Sequence, residues 1–234
     1  MTLRVVLFGT GRLGHEIIAL APHRDAEVVA TFSRASPGTA ALVQAARADV
    51  AIDVSVAEAV MANASMCIAA GIPIVIGVTG WHDTEEAVIS AVHASHGGVL
   101  LAPNFSIGAT LFSMTVADAA HRFTALLGFD AHIVETHHAA KKDAPSGTAR
   151  RLADVALQSR GTVVPVTSVR VGNVPGVHTL ILDAPFEQVT LTHEARDRRV
   201  FADGALLAAS WMRNRTGSFT MEDVVRDLTG TADA

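Results

Sequence analysis

Apolar positions fall into two regimes along the chain. From Leu3 to about Ala102, short runs of aliphatic and β-branched residues alternate with longer stretches whose apolar residues recur every three to four positions. The short runs predict strands at Leu3–Phe8, Glu27–Phe32, Asp49–Val54, Ile72–Gly77 and Val99–Ala102, and the longer stretches predict helices at His15–Ala21, Ala57–Ala70 and Glu85–Ala94. Strands apolar at nearly every position suit a parallel sheet covered on both faces. The expected fold is a doubly wound α/β domain of the Rossmann type. After Ser106 the alternation breaks. Ile107–Leu127 is one long helical pattern, followed by a strand at Ala131–Glu135 and a helix from Gly147 to about Gln158. Strand-like runs at Val166–Val171, His178–Ala184 and Glu187–His193 follow, separated by Gly and Pro turns, so antiparallel connections and a second, α+β domain are expected. Helical patterns return at Gly204–Arg213 and Met221–Leu228. The expected division is 1–105 plus 198–234 against 106–197.

The first strand runs directly into Gly9, Thr10, Gly11, Arg12, Leu13 and Gly14, a GxGxxG with a strand before it and a helix after it. In that context the motif points to a dinucleotide. Gly9 makes the tight turn, Gly11 lets a pyrophosphate approach the backbone, and Gly14 lets helix and strand pack closely. A carboxylate at the end of the second strand would hold a ribose 2′-hydroxyl, but Ser33 and Arg34 stand there instead. A guanidinium suits a 2′-phosphate, so NADPH is favoured over NADH. Ligands in such folds lie at the carboxyl ends of strands, which selects Asp53 to Ser55, Gly77, Val78 and Thr79 before Gly80, and Ala102, Pro103, Asn104 and Phe105.

Composition narrows the setting. The 234 residues are 50% hydrophobic and 18% charged, enough for a substantial core. A net charge of −5 with no basic patch or helix argues against nucleic-acid and membrane-surface partners. Cys67 sits in an apolar helical run and reads as an inert core thiol. The first residues run straight into a strand, with neither a leader pattern nor an apolar run of spanning length, so a cytoplasmic protein is expected. There is no tyrosine, which excludes dehydrogenases whose acid is a Tyr–Lys pair. His121, His132 and His193 are isolated, and no HExxH or paired-Cys spacing is present, so no metal site is expected.

Chemistry is concentrated in Glu135–Ala149, ETHHAAKKDAPSGTA. His137 and Lys141 are candidate proton donors, because imidazole titrates near neutrality and an ammonium both donates and stabilises negative charge. Ser146 reads as an N-cap and as a substrate-binding residue, with Gly147 and Thr148 opening a helix whose first N–H groups can grip a carboxylate. An acid substrate is implied.

This segment, the opening GTGRLG, the loops GVTG and APNFSIG and the tail FADGALLAASWM together resemble the 4-hydroxy-tetrahydrodipicolinate (dihydrodipicolinate) reductases of lysine and diaminopimelate biosynthesis, over nearly the whole chain. HHxxKxDAPSGTA is the most specific part. The resemblance implies NADPH- or NADH-dependent reduction of a cyclic imine dicarboxylate to tetrahydrodipicolinate, by a homotetramer assembled through the second domain. It implies His137 as proton donor or acceptor and Lys141 as a second donor. Substrate contacts are implied for His138, Gly147 and Thr148, and for Arg198, three residues before the Phe of the tail motif. Two domains suggest closure that excludes water before hydride transfer.

Three features depart from the family pattern. Val78 stands where a threonine is usual, Ala140 replaces a frequent histidine, and the stretch before Val166 is short. The last allows a compact subtype or a changed substrate preference. Two other readings remain open: a related two-domain amino-acid dehydrogenase, such as an aspartate dehydrogenase, or a nicotinamide-binding sensor without chemistry. A mere binder would not need His137, Lys141 and Gly147 together.

Overall fold

The computed structural model describes residues 1–230, with side chains described at all of them except 124–127. It divides into two compact units, Met1–Ser106 with the residues from Arg199 onward, and Ile107–Arg198. Arg198 thus belongs to the second unit. No helix among the described residues is long and apolar enough to cross a membrane.

The first unit begins with β1 (Leu3–Phe8), α1 (Arg12–Leu20), β2 (Ala26–Phe32), α2 (Ala40–Ala45), β3 (Val50–Asp53), α3 (Val60–Ala70), β4 (Ile74–Ile76), α4 (His82–Ala94) and β5 (Gly98–Leu101). Sequence periodicity missed α2, which is six residues long and too short to show a period. It is set by Thr39, whose hydroxyl accepts the Leu42 N–H at 3.3 Å. Side chains alternate across each strand, so Val6 and Phe8 join Val43, Ala64, Cys67, Val88 and Val92 in a core beneath α2, α3 and α4. Cys67 is fully buried there, and burial raises its thiol pKa well above the ordinary value, which keeps it unreactive.

The second unit holds α5 (Ile107–Leu127), β6 (Asp130–His137), α6 (Gly147–Arg160), β7 (Val166–Arg170), β8 (Val177–Ala184) and β9 (Glu187–Glu194). Its four-stranded sheet runs β7-β6-β8-β9. The pairings β6–β8 and β8–β9 are antiparallel, but β7 lies parallel to β6. This corrects the expectation of antiparallel connections throughout: α6 lies between β6 and β7 and carries the chain back, the crossover that parallel neighbours need. Ala131, Ile133, Leu180 and Leu182 on one face pack with Val116, Ala120, Phe129, Leu152 and Ala156.

The chain returns to the first unit as α7 (Arg199–Met212), β10 (Gly217–Thr220) and α8 (Met221–Thr229). The strand was not foreseen, since four residues with alternating partial burial give little signal between two helices. It completes a parallel sheet of order β10-β5-β4-β3-β1-β2. Helix α7 packs on β3, β4, β5 and α1, so helices cover both faces.

Candidate active site

In the first unit, the turn after β1 is shaped by near contact with neighbouring backbone. Gly9 has φ +99°, and a Cβ there would come 2.6 Å from the carbonyl oxygen of Val54. A Cβ on Gly14 would collide with the Gly9 carbonyl. Above Gly11 there is only open space: a Cβ would meet nothing within 4 Å. Helix α1 starts here with no side-chain cap and no acidic residue in its first turn, so its N–H groups face a volume that accepts an anion. These features fit a dinucleotide pyrophosphate.

An adjoining cleft of about 410 Å³ is lined by Leu13, Val54, Ser55, Val56, Ala57, Glu58, Gly77, Val78 and Thr79. The segment Val56–Glu58 was not foreseen. Its position follows from Asp53, fully buried at the end of β3, which accepts hydrogen bonds from the Ser55 N–H (2.9 Å), the Ser55 hydroxyl (2.6 Å) and the Asn63 amide (2.9 Å). Burial raises the Asp53 pKa, and these bonds offset only part of the rise. Val78 is buried, with its carbonyl accepting the Trp81 indole N–H at 2.8 Å, so the residue acts through backbone and packing. Ala102 and Phe105 are buried, the Phe105 ring filling the space a side chain at Gly77 would need. Pro103 is exposed, and the Asn104 carboxamide oxygen accepts the Ser106 N–H at 2.9 Å. At the end of β2, Ser33 and Ser36 exchange backbone hydrogen bonds of 2.9 and 3.1 Å around a tight turn that leaves Arg34 exposed.

In the second unit, β6 extends two residues past the predicted end, which makes His137 its last residue and places Glu135 and His137 on the same face. That face is the buried one. Glu135 is fully buried, and its Oε1 accepts from the Ser146 N–H (3.0 Å), the Ser168 hydroxyl (2.7 Å) and the Arg170 guanidinium (2.7 Å). Its Oε2 lies 2.9 Å from Nδ1 of His137 and 4.0 Å from Nε2 of His178. The His137 contact has hydrogen-bond length but a bent geometry, leaving both atoms without an aligned hydrogen bond. Burial pushes the Glu135 carboxyl up, but the hydrogen bonds from Ser146, Arg170 and Ser168 outweigh it and hold the pKa at about 2. Burial lowers the pKa of His137, against the pull of the Glu135 charge, and drives that of His178 down to about 4. Both imidazoles are therefore predominantly neutral near pH 7.

The neighbouring predicted residues lie on the loop and helix that follow. Lys141 Nζ is 2.7 Å from Asp143 Oδ1, and the Lys141 N–H donates to the His138 carbonyl at 3.1 Å, closing a turn. His138 is half-buried and alternates away from His137. Ser146 is the N-cap of α6: its hydroxyl accepts the Ala149 N–H at 3.1 Å and lies 3.3 Å from His178 Nε2. Its N–H, given to Glu135 at 3.0 Å, ties the start of α6 to β6. Gly147 is exposed, and a Cβ there would meet nothing within 4 Å. Thr148 follows in the first turn, half-buried, and Arg198 is exposed in the turn before α7.

Sequence reasoning missed Glu135, Ser168, Arg170 and His178 as members of the site. The register assembles them, pairing Glu135 with Ser168 on one side and His178 on the other, and His137 with Arg170. A carboxylate on the apolar face of a strand was the available signal. Glu135, His137 and His178 also have atoms spaced as cation ligands, a grouping not expected from the sequence. Arg170, 2.7 Å from the carboxylate, opposes a second positive charge there.

Comparison with known proteins covers both units. The family model "Dihydrodipicolinate reductase, N-terminus" matches residues 3–105, and "Dihydrodipicolinate reductase, C-terminus" matches residues 108–225. A 4-hydroxy-tetrahydrodipicolinate reductase of Christiangramia forsetii is 32% identical over 97% of this chain and 99% of its own. One from Rhodopseudomonas palustris is 39% identical over 77% of this chain and 73% of its own. Among solved structures, a dipicolinate-bound dihydrodipicolinate reductase from Paenisporosarcina sp. TG-14 superposes with a TM-score of 0.83 at 22% identity, covering 95% of this chain and 99% of that one.

Proposed function

The chain belongs to the dihydrodipicolinate reductase family, and from that premise we propose that it reduces the cyclic imine derived from 4-hydroxy-tetrahydrodipicolinate to tetrahydrodipicolinate, with NADPH preferred to NADH. It is an oxidoreductase of the lysine and diaminopimelate pathway. The observation that carries the reading is the meeting of a buried Glu135–His137 pair with Lys141 and the start of α6 within one segment.

A bound nicotinamide supplies the hydride. The residues of the Gly9–Gly14 turn would hold its pyrophosphate at the N-terminus of α1, and Arg34, with no carboxylate next to it in the sequence at the end of β2, would take a 2′-phosphate. In the second unit, Gly147, Thr148 and His138 bind one substrate carboxylate and Arg198 the other. The arriving hydride leaves negative charge on the conjugated system, and His137 with Lys141 supplies the proton that quenches it. A neutral His137 delivers that proton only if it is loaded first, and Lys141 in the same segment is its partner in the transfer.

The face of the second sheet away from α5 and α6 carries His132, Val134, Thr136, Thr167, Val169, Thr179 and Ile181, half-buried or exposed, and no described element of that unit covers it. A broad β-branched face of this kind supports a homotetramer built through this sheet. The same reading puts the enzyme in the cytoplasm, with the soluble nicotinamide pool.

The test follows NADPH and NADH oxidation with substrate generated from pyruvate and aspartate semialdehyde. Wild type is expected to turn over, and Lys141→Ala to lose about 10²–10⁴ in kcat/KM. Arg34→Ala is expected to raise KM for NADPH about 10-fold and leave that for NADH unchanged. NADPH binding without oxidation would mean a sensor, and oxidative deamination of aspartate an amino-acid dehydrogenase. Light scattering reads the tetramer, which Ile181→Lys is expected to break.

A further inference from the structure

Buried polar atoms need partners, and two atoms in the second unit lack aligned ones while facing each other: Glu135 Oε2 and His137 Nδ1, 2.9 Å apart. The carboxylate is the fixed member. Its other oxygen is held by three donors on three separate pieces of chain, Ser146 at the start of α6 and Ser168 and Arg170 on β7. His137 is the last residue of β6 and is free to rotate only as its surroundings permit.

An imidazole nitrogen without a hydrogen presents a lone pair. At 2.9 Å from an ionised carboxylate oxygen that arrangement is repulsive, whereas an N–H is attracted even when the angle is bent. Nδ1 must therefore carry the hydrogen in the neutral ring, and Nε2 becomes the atom that gains and loses the working proton. Nε2 has room because residue 176 is glycine: a Cβ there would stand 3.0 Å from it. The edge of the His178 ring, with centroids 5.1 Å apart and planes at 73°, limits rotation from the other side.

We propose that Glu135 is a positioning residue for the proton-transferring His137, fixing its Nδ1–H tautomer and directing Nε2 to the substrate, with Gly176 as the gap that admits it. The proposal rests on the reading of His137 as a proton carrier. Glu135 does more than hold the ring. Its charge stabilises the protonated imidazole against burial, and the other charged groups around His137 divide: Asp143 on the loop assists, while Lys141 beside it and Arg170 on β7 oppose. His178 on β8 completes the surroundings and stays uncharged near neutrality. Loss of the Glu135 charge removes the largest influence that raises the His137 pKa.

Nitrogen-resolved NMR of histidine-labelled wild-type protein at pH 8 tests the tautomer directly. The His137 resonances, assigned by their absence in His137→Gln, are expected to show Nδ1 protonated and Nε2 bare; the opposite pattern overturns the proposal. This readout needs no turnover, so it stands apart from any failure of the reductase reading. Glu135→Gln is then compared with wild type in kcat, KM and pH profile. The expected result is a fall in kcat of about 10²-fold, the low end of what a positioned acid contributes, with NADPH affinity unchanged and the descending high-pH limb of kcat moved to lower pH. Glu135→Asp is expected to restore the limb in part. A limb that stays at its wild-type pH in Glu135→Gln overturns the proposal. Should that variant fail to fold, Gly176→Ala takes its place. Crowding Nε2 is expected to lower kcat with the limb unmoved, and wild-type kcat in it would remove Nε2 from the mechanism.

Discussion

Asp53 at the end of β3 and Glu135 on β6 are both fully buried, and both accept a backbone N–H and a serine hydroxyl. Their acidities part in opposite directions. Asp53 has only neutral donors, so burial wins and its pKa rises. Glu135 is drawn the other way by Ser146, Arg170 and Ser168 together, the Arg170 guanidinium at 2.7 Å being a cation that Asp53 lacks, and its pKa falls to about 2. Burial alone therefore does not say what a carboxylate is for. A neutral shell suits a group that braces a loop, here the Val54–Glu58 lining of the cleft beside the glycine turn. A cationic one keeps a permanent negative charge where an imidazole can use it.

Glu135→Ala leaves Arg170 facing the interior without its carboxylate. A destabilisation of about 3–5 kcal/mol is expected in urea unfolding; a loss below about 1 kcal/mol would mean the guanidinium finds water. Ser168→Ala removes one donor to a charged oxygen and is expected to cost about 1.5–3 kcal/mol. Asp53→Asn, with no cation to strand, is expected to cost only about 1 kcal/mol, with a raised KM for NADPH as the clearer sign. The smallest effect is the slope of stability with pH. Glu135 ionises at about 2 folded against an ordinary 4.5, so its contribution is present above about 4.5 and lost as pH falls toward 2. Asp53 has the opposite sign: its pKa is raised, so the folded state loses stability as pH rises past the ordinary 3.8. Glu135→Gln should flatten the acid limb of an unfolding curve, and Asp53→Asn should steepen it.

The first sheet was readable because its signals are local. Each of its first five strands is a short, mostly apolar run, and the GxGxxG needs only a strand before it and a helix after it. The losses were short elements, α2 and β10, whose six and four residues repeat their pattern too few times to stand out. The helix after the APNFSIG loop was predicted as Ile107–Leu127, as it is found, since length makes periodicity unambiguous. In the second unit the strand positions were legible but their pairing was not. Nothing in Val166–Arg170 by itself says that it runs parallel to β6.

The candidate site divides in the same way. His137, Lys141, Ser146 and Gly147 are neighbours along the chain, so their chemistry and the helix start between them were determined by the sequence itself. Glu135 was in view too, but nothing local gave it a role. Ser168, Arg170 and His178 lie 33 to 43 residues away from it and reach it only because strand register sets them beside it. Residue order determines which groups a segment carries and which local structure it adopts, for those depend on dihedral preference and periodicity. Which charge meets which imidazole, and so the acidity and tautomer of each, is decided by the folded sheet, because electrostatic interaction depends on distance in space and on exclusion of water.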